Sequence, residues 1–232
     1  SLYFGGHNTY VNVGPLGDFG KHLAQCSVDL WFRTGETKKL MALFHVTDSM
    51  HKHAMLSILL NSSPAAEFQK GGVLFRLRDT KGALLSATVV CPQVFDNEWH
   101  HLVFRVHHGP GNLLNVNLDG AQLSLLYHSQ ESPEHFAPFT QWVCLGAANE
   151  RGKEVRHFFS GFLREVRVMH SGRVLAAHWP LMEGMGAKVL MDASGNAHNG
   201  VPHEGQSRTT TWMHVYLPMI LDAEYPEAED KQ

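Results

Sequence analysis

Apolar and polar residues alternate along much of this chain. Residues 102–107 read Leu-Val-Phe-Arg-Val-His and residues 113–118 read Leu-Leu-Asn-Val-Asn-Leu. A Gly-Pro-Gly sequence at 109–111 separates the two segments. Alternation with a period of two on both sides of a Gly/Pro turn predicts a β-hairpin that buries one face. We expect Trp99, at the start of the first strand, to pack on that buried face together with the alternating apolar residues.

The same pattern predicts strands elsewhere in the chain. At 25–34, Val28, Leu30 and Phe32 are expected to share one face, because a strand places successive side chains on opposite faces. An edge strand is expected over residues 2–13. Further strands are predicted at 41–47, 54–60, 72–78, 83–90, 142–146, 158–168 and 212–217. No segment has a sustained helical period, so these short strands predict an all-β sandwich of two antiparallel sheets.

Several short motifs follow one another in a definite order. Trp-His-His at 99–101 precedes an apolar strand, and Asp-Gly at 119–120 follows the next strand. Later segments read Phe-x-Gly-x-Leu-x-Glu-Val-Arg-Val at 159–168, Trp-x-Leu-x-Glu-Gly-x-Gly at 179–186 and Asp-x-Ser-Gly-Asn at 192–196. This order resembles the laminin-G-like, concanavalin-A-like lectin and glucanase superfamily. The resemblance covers residues 4 to about 201, and it implies a jelly-roll β-sandwich.

The resemblance also guides the domain boundaries. We expect one laminin-G-like domain over residues 1–221 and an acidic tail or linker over residues 222–232, where five acids accompany one lysine. In the resembled superfamily, acids often follow the first strand. Gly5, His7 and Asn8 stand there in this chain. Calcium prefers several carboxylate and carbonyl oxygens, so a calcium site is not expected, and no cofactor is implied.

Composition and charge exclude several classes of function. The 232 residues are 44% apolar and 18% charged, which fits one globular domain and argues against disorder. The net charge of −3 gives no electrostatic basis for binding nucleic acid or an anionic membrane surface. No apolar run approaches the ~20 residues that a membrane span requires. Partners are therefore expected among proteins or glycans.

Three cysteines are widely spaced in apolar surroundings: Cys26, Cys91 and Cys144. Such residues are expected to be small buried hydrophobic groups, with one disulfide plus a free thiol as the alternative. The chain has no Cys-x-x-Cys sequence that would indicate zinc. This usage favours a reducing, intracellular compartment, while removal of a signal segment would leave an extracellular location open.

Catalytic chemistry is not indicated. Glycoside hydrolysis needs two carboxylates beside a cleft, and the resembled glucanases carry Glu-x-Asp-x-x-Glu on one strand. That sequence is missing here, and Glu165 lies between Arg164 and Arg167. Neighbouring arginines favour the ionised carboxylate, which is unsuited to a general acid, so a structural ion pair is expected. No Gly-x-Ser-x-Gly elbow is present, and we expect a non-enzyme.

Candidate ligand-binding residues lie in predicted loops. His51 and His53 are close enough to hold one metal ion, but Asp48 is the only further local ligand, so no metal site is expected. Aromatic residues in a loop can stack on a ligand, and they can equally cover the end of a sandwich. The candidate residues are His51, His53, Tyr127, Phe136, Phe139 and Trp142. The candidate loops are 48–53, 109–112, 127–139 and 149–154.

The sequence therefore predicts a non-catalytic recognition module of a larger protein or assembly. Protein–protein interaction is the first hypothesis, because the cysteines are unpaired, acids are missing from the first loop and no sugar site is apparent. A carbohydrate-binding, lectin-like module is the alternative, and a glycoside hydrolase is a more distant one. The ligand is expected at loops on one rim or on the face of one sheet.

Overall fold

The computed structural model describes residues 1–47, 54–61, 71–107, 113–138, 143–150, 154–170, 174–184 and 186–203. Along these residues the chain forms the strands β1 (Leu2–Gly5), β2 (Tyr10–Val13), β3 (Cys26–Arg33), β4 (Met41–Thr47), β5 (Met55–Asn61), β6 (Gly72–Arg78), β7 (Leu84–Val90), β8 (His100–His107), β9 (Leu113–Leu118), β10 (Ala121–Gln122), β11 (Leu126–Gln130), β12 (Val143–Leu145), β13 (Ala148–Glu150), β14 (Glu154–Arg156), β15 (Ser160–His170), β16 (Val174–Trp179) and β17 (Gly200–His203). Short 3-10 helices cover Asp18–Gln25 and Pro92–Phe95.

Two antiparallel sheets form the sandwich that the sequence predicts. Sheet A has the strand order β1-β15-β3-β8-β9-β10, and β16 also pairs with β15. Sheet B has the order β11-β7-β6-β5-β4-β12-β2-β17. The strands β13 and β14 pair as a separate hairpin. Among the described residues, no helix has the length and apolar character needed to span a bilayer.

The core lies between the two sheets and is built from the alternating positions. Val28, Leu30 and Phe32 of β3 are fully buried, as the alternation predicts. The rings of Phe75 in sheet B and Phe104 in sheet A stack 4.9 Å apart at an angle of 3°. Such a pair stabilises the fold by about 0.5–1.5 kcal/mol beyond the effect of burial, so it helps to fix how the sheets face each other.

The hairpin at 100–118 is confirmed, and the turn after it has a specific conformation. Val103 pairs with Asn117 across β8 and β9. Asp119 and Gly120 both have positive φ angles, of 52° and 81°. Two successive positive φ angles give the tight turn that matches strand twist, and Asp-Gly is a favoured sequence for it. The pairing of β10 with β9 follows directly.

Three expectations about the elements need correction. The strand expected over residues 2–13 is two strands in different sheets, and β2 lies between β12 and β17 rather than at an edge. No helix was expected, yet a 3-10 helix covers Asp18–Gln25 and buries Phe19 and Leu23, a pattern too short to be recognised in the sequence. Trp99 is only partly buried, and His100 takes the inward position beside it. The strand predicted at 212–217 and the boundary at 221/222 lie outside the described residues.

Several sheet edges are closed to further strands. Asn196 donates its side-chain amide to the carbonyl oxygens of Leu175 and Ala176, which lie on β16. Pro202 interrupts the row of N–H donors on β17. The strand β11 has an irregular register between Tyr127 and Ser129, which is typical of a β-bulge. These features leave the faces of the sheets, rather than these edges, to contact a ligand.

Candidate binding surface

The outer face of sheet A carries a partly exposed group of aromatic and arginine side chains. Outward positions on β1, β3 and β15 contribute most of them, and one lies just before β8. We call this group the aromatic–arginine surface, and its members are Tyr3, Trp31, Arg33, Trp99, Phe162 and Arg164. Every member is intermediate in exposure, so the group lies neither in the core nor entirely in solvent.

Arg164 lies at the centre of this surface, against two tryptophan rings. Its guanidinium carbon is 4.8 Å from the ring centroid of Trp31 and 4.3 Å from that of Trp99. Contacts of this length are cation–π interactions, which stabilise partly exposed pairs by about 0.5–1 kcal/mol each. Burial lowers the pKa of the Arg164 guanidinium, and the charge of Glu165 acts in the opposite direction. Arginine nevertheless stays protonated at any physiological pH.

Trp31 has a second partner on its other side. The imidazole ring of His101 stacks on it at 4.6 Å and 12°. Trp31 on β3 pairs with Arg164 on β15 and with His101 on β8. These strands flank β3 on opposite sides, so the two partners cover opposite faces of the indole ring. His101 is held in turn by a hydrogen bond of 2.7 Å between its Nε2 atom and Asp29 Oδ1.

The rings at the other end of the surface contact one another. The Phe162 ring lies 5.0 Å from that of Tyr3 and 6.3 Å from that of Trp99. The guanidinium carbon of Arg33 is 5.7 Å from the Phe162 centroid, and Arg33 Nε donates to Asn97 Oδ1 at 3.4 Å. Cationic and aromatic side chains therefore alternate across the surface.

A bulge in β15 leaves two successive charged residues, Arg164 and Glu165, both partly exposed. The pairing of β15 with β3 shifts register between Arg164 and Arg167. Glu165 has a φ angle of 53°, in the left-handed region. Its Oε2 atom accepts hydrogen bonds from Arg167 Nη2 at 2.6 Å and from His178 Nε2 at 2.9 Å. The ion pair predicted for Glu165 is confirmed with Arg167, and the bulge leaves Arg164 free to stack on the tryptophans.

Two aspartates hold His100 directly beneath this surface. His100 Nδ1 is 2.8 Å from Asp119 Oδ2, and His100 Nε2 is 3.0 Å from Asp96 Oδ1. Carboxylates only accept hydrogen bonds, so both bonds form together when the imidazole carries two protons. Burial lowers the pKa of His100, but its hydrogen bonds and attraction to Asp119 and Asp96 outweigh burial and raise that pKa.

The far end of the same face is polar rather than aromatic. Ser27 and Asn115 lie beside Arg105 on neighbouring strands, and Arg105 is exposed. Asn117 donates its side-chain amide to Asn115 Oδ1 at 2.8 Å. Amides and hydroxyl groups of this kind hydrogen-bond polar ligands, but they offer no ring on which a sugar could stack.

The structure describes only two of the ligand-binding residues predicted from the sequence. Tyr127 and Phe136 are partly buried and pack against the core, as side chains that cover the end of a sandwich do. His51, His53, Phe139 and Trp142 lie outside the described residues, as do the loops 48–53 and 109–112. A binding role for these six residues stays a prediction.

The segment that carries Phe136 is anchored by a buried carboxylate. Asp79 Oδ2 accepts hydrogen bonds from the backbone N–H groups of Glu134 and His135, both at 3.1 Å. Asp79 Oδ1 accepts from Lys81 at 2.9 Å and from Ala83 at 3.0 Å. Burial raises the pKa of Asp79, but these backbone hydrogen bonds prevail and lower it. The segment is thereby fixed to the β6–β7 turn.

The first loop does not suit a calcium ion. The Lys39 ammonium donates to the carbonyl oxygen of Gly6, so a positive charge already lies beside this loop. Residues 5–9 carry no carboxylate. Among all described residues, no three His, Cys, Asp or Glu side chains are arranged to hold a metal ion. The donor set therefore gives no support for calcium at this position.

One pairing of a hydroxyl with a base escaped the sequence analysis. His45 Nδ1 is 2.7 Å from Ser57 Oγ, and His45 Nε2 is 3.3 Å from the carbonyl oxygen of Asn149. The pairing requires the β4–β5 register, in which His45 lies opposite Ser57. Both side chains are buried, with exposures of 1% and 2%. A substrate cannot reach the hydroxyl in this state, so the pair is structural.

Comparison with known proteins bears on the fold. No family model and no curated protein sequence matches the chain. A structure of mouse laminin alpha1 chain domains LG4-5 is 20% identical, with a TM-score of 0.52, over 72% of this chain and 40% of that chain. The chain has a laminin-G-like jelly-roll fold. The jelly roll expected from the motif order is thus confirmed.

Two further structures share the laminin-G-like fold. A candidate carbohydrate-binding protein from Bacteroides ovatus is 14% identical, with a TM-score of 0.62, over 88% of this chain and 59% of that chain. A heptameric SAP-like pentraxin from Limulus polyphemus is 14% identical, with a TM-score of 0.51, over 72% of this chain and 74% of that chain. The chain spans about half the length of the laminin and Bacteroides chains, and identities this low concern the fold alone.

Proposed function

We propose that this laminin-G-like domain is a non-catalytic recognition module that binds a protein through the aromatic–arginine surface. The observation that carries this proposal is Arg164, whose guanidinium group contacts the rings of both Trp31 and Trp99 on a partly exposed sheet face. Tryptophan, tyrosine and arginine are the residues most enriched among those that dominate the energy of protein interfaces. A face that already holds them in place loses little side-chain entropy on binding.

A carbohydrate ligand is the alternative, and the polar end of the same face favours it. The amides of Asn115 and Asn117 could hydrogen-bond sugar hydroxyls. Stacking on a sugar ring needs an open aromatic face, however, and both faces of Trp31 are covered by His101 and Arg164. This arrangement supports a protein partner over a glycan. The distant alternative, glycoside hydrolysis, lacks support because Glu165 is engaged by Arg167 and His178.

The test is affinity capture from the native source with matched baits. The wild-type domain, the surface variant Phe162→Ala and the control variant Arg78→Ala, on the other sheet, would be compared by quantitative mass spectrometry. We expect a defined set of proteins bound by wild type and Arg78→Ala and lost with Phe162→Ala. Equal thermal unfolding of the three baits establishes that the variants are folded.

A glycan array with the same three proteins addresses the alternative. If Phe162→Ala leaves both glycan binding and protein capture unchanged, the aromatic–arginine surface is not the binding site. Hydrolysis of a β-glucan that disappears in Glu165→Gln would overturn the assignment as a non-enzyme.

A further inference from the structure

The two arginines of the aromatic–arginine surface are held by rings rather than by acids. Arg164 contacts Trp31 and Trp99, and Arg33 contacts Phe162. Among the described residues, no carboxylate forms an ion pair with either arginine. Arginines without an acidic partner are common on surfaces, but two that are fixed on aromatic rings of one face are pre-organised for a ligand.

Two acids on the same strands as these arginines, Glu165 on β15 and Asp29 on β3, are already engaged. Glu165 accepts hydrogen bonds from Arg167 and His178 on the side of β16. Asp29 accepts a hydrogen bond from His101. Among the described residues, neither of these carboxylates forms an ion pair with Arg33 or Arg164. Among the described residues, the guanidinium groups of Arg33 and Arg164 therefore have no carboxylate in direct contact, although the charge of Glu165 acts on Arg164 from a distance.

Stacking determines which atoms of a guanidinium group remain available. A guanidinium group lies flat on a ring and presents its N–H donors at the edge of its plane. Arg164 makes these ring contacts and no hydrogen bond with another described residue. Arg33 uses Nε in a long hydrogen bond to Asn97, which leaves its terminal nitrogens as donors. Planar forks of donors suit the two oxygens of a carboxylate.

We propose that the stacked guanidinium groups of Arg33 and Arg164 bind carboxylate groups in an acidic segment of the protein partner. This inference rests on the proposed function, because it gives the chemistry of a ligand for the same surface. Charge complementarity supports an acidic peptide. The covered faces of Trp31 disfavour an acidic sugar, which would need a ring for stacking as well as an arginine.

A peptide titration tests this chemistry directly. The probes are a fluorescently labelled peptide of alternating Glu and Ser and a matched peptide with Gln in place of every Glu. Fluorescence anisotropy would be recorded with the wild-type domain, Arg33→Gln, Arg164→Gln and Arg164→Lys. Arg105→Gln is the matched control, because Arg105 is an exposed arginine on the same sheet face but outside the surface.

We expect the wild-type domain to bind the Glu peptide and to bind the Gln peptide at least tenfold more weakly. Arg164→Gln and Arg33→Gln should each lower the affinity for the Glu peptide by roughly tenfold to hundredfold, because charge-assisted hydrogen bonds disappear. Arg164→Lys should also weaken binding, since lysine keeps the charge but lacks the planar fork. Arg105→Gln should change the affinity by less than about threefold. Equal unfolding midpoints in urea would exclude misfolding as the cause.

Other outcomes would overturn the inference. The inference fails if the two peptides bind equally well, or if Arg105→Gln weakens binding of the Glu peptide as much as Arg164→Gln does. It also fails if the Glu peptide does not bind, or if the domain binds heparin or sialylated glycans instead of the Glu peptide. The proposed function fails separately. Protein capture that depends on Phe162 but is unchanged in Arg33→Gln and Arg164→Gln would retain the docking surface and reject carboxylate recognition.

Discussion

At the scale of single residues, Glu165 is unusual because it combines a left-handed backbone with a side chain that makes two hydrogen bonds. Its φ angle of 53° lies in a region that costs an L-residue roughly 1–2 kcal/mol. Its carboxylate, held by Arg167 and His178, offsets part of that cost. The result is a bulge that keeps Arg164 on the outer face beside the tryptophans.

Two substitutions separate the backbone of Glu165 from its carboxylate. Glu165→Gly and Glu165→Val both remove the hydrogen bonds, but only glycine adopts a positive φ without strain. We expect Glu165→Val to have a lower free energy of unfolding than Glu165→Gly by about 1–2 kcal/mol, measured in urea. A valine variant as stable as the glycine variant would mean that the bulge relaxes easily.

His100 makes the stability of the domain depend on pH. Its folded-state pKa is raised, so the folded state binds the proton more tightly than the unfolded state does. The stabilisation is therefore complete below the unfolded pKa of about 6.5, and it is lost as pH rises through the folded-state pKa. We expect the difference in unfolding free energy between wild type and His100→Gln to shrink as pH rises above 6.5.

The measurement is urea unfolding of both proteins at a series of pH values. His107→Gln is the control, because His107 is exposed at the far end of the same strand. A difference between wild type and His100→Gln that is constant with pH would mean that the two aspartates do not hold a protonated imidazole. The expected decrease would show that a residue beneath the aromatic–arginine surface is charged at mildly acidic pH.

At the scale of elements, the connection after β11 depends on one carboxylate in another turn. Asp79 receives four backbone N–H groups, two from its own turn and two from residues 134 and 135. In Asp79→Asn, an NH2 group replaces one carboxylate oxygen and faces two backbone N–H donors, with which it cannot form hydrogen bonds. We expect Asp79→Asn to lower the free energy of unfolding by about 2 kcal/mol or more, measured in urea.

Limited proteolysis gives an independent measure of the same anchor. Cleavage between residues 131 and 138 should become faster in Asp79→Asn, because the hydrogen bonds of that segment to the Asp79 carboxylate are weakened. Asp18→Asn should change little, since Asp18 is an exposed acid on a 3-10 helix whose ion pair, within the described part of the chain, is with the exposed Lys21. Unchanged cleavage in Asp79→Asn would show that the hydrogen bonds of Thr80 to the His135 carbonyl oxygen and the packing of Phe136 are sufficient to hold the segment.

The sequence predicts the strands well where their pattern is local. The alternation of β3 and β8 is visible in the residues themselves, and it already places Trp31 and Arg33 on the outward face. The separation of β1 and β2 between sheets cannot be read in this way, because it depends on partners more than a hundred residues away. Sheet pairing of this range has no signature in a single sequence.

The aromatic–arginine surface is hidden from sequence analysis for the same reason. Arg164, Trp31 and His101 come from three strands that are distant in the chain, and they meet only because β15, β3 and β8 are neighbours in register. The position of Trp99 also depends on this register, since His100 rather than Trp99 faces inward. Aromatic residues in predicted loops, such as Tyr127 and Phe136, can be identified from the sequence without knowledge of the register.

At the scale of the whole molecule, the three cysteines contribute to the core. All are free and buried, so the predicted role as small hydrophobic groups is confirmed and no disulfide joins them. Burial raises the pKa of Cys26 to about 12, of Cys91 to about 11 and of Cys144 to about 12. A thiol reacts through its thiolate, which these environments suppress.

Thiol labelling therefore reports on the integrity of the fold. We expect the folded domain to react with an aromatic disulfide reagent at least about a hundredfold more slowly than the unfolded chain does. The reason is that the reagent does not reach the buried thiols and that burial disfavours the reactive thiolate. The same protein in guanidinium chloride should release one thiolate product for each cysteine. Rapid labelling of a single thiol in the native state would identify a local opening near that residue.

The closed sheet edges have a consequence for how this domain behaves beside copies of itself. A strand recruits a neighbour by offering a regular row of amide and carbonyl groups, and such rows are the usual starting point of aggregation. The Asn196 contacts on β16, Pro202 on β17 and the irregularity in β11 each interrupt such a row. At these three edges, copies of the domain in tandem repeats or crowded assemblies are therefore hindered from pairing their strands with one another.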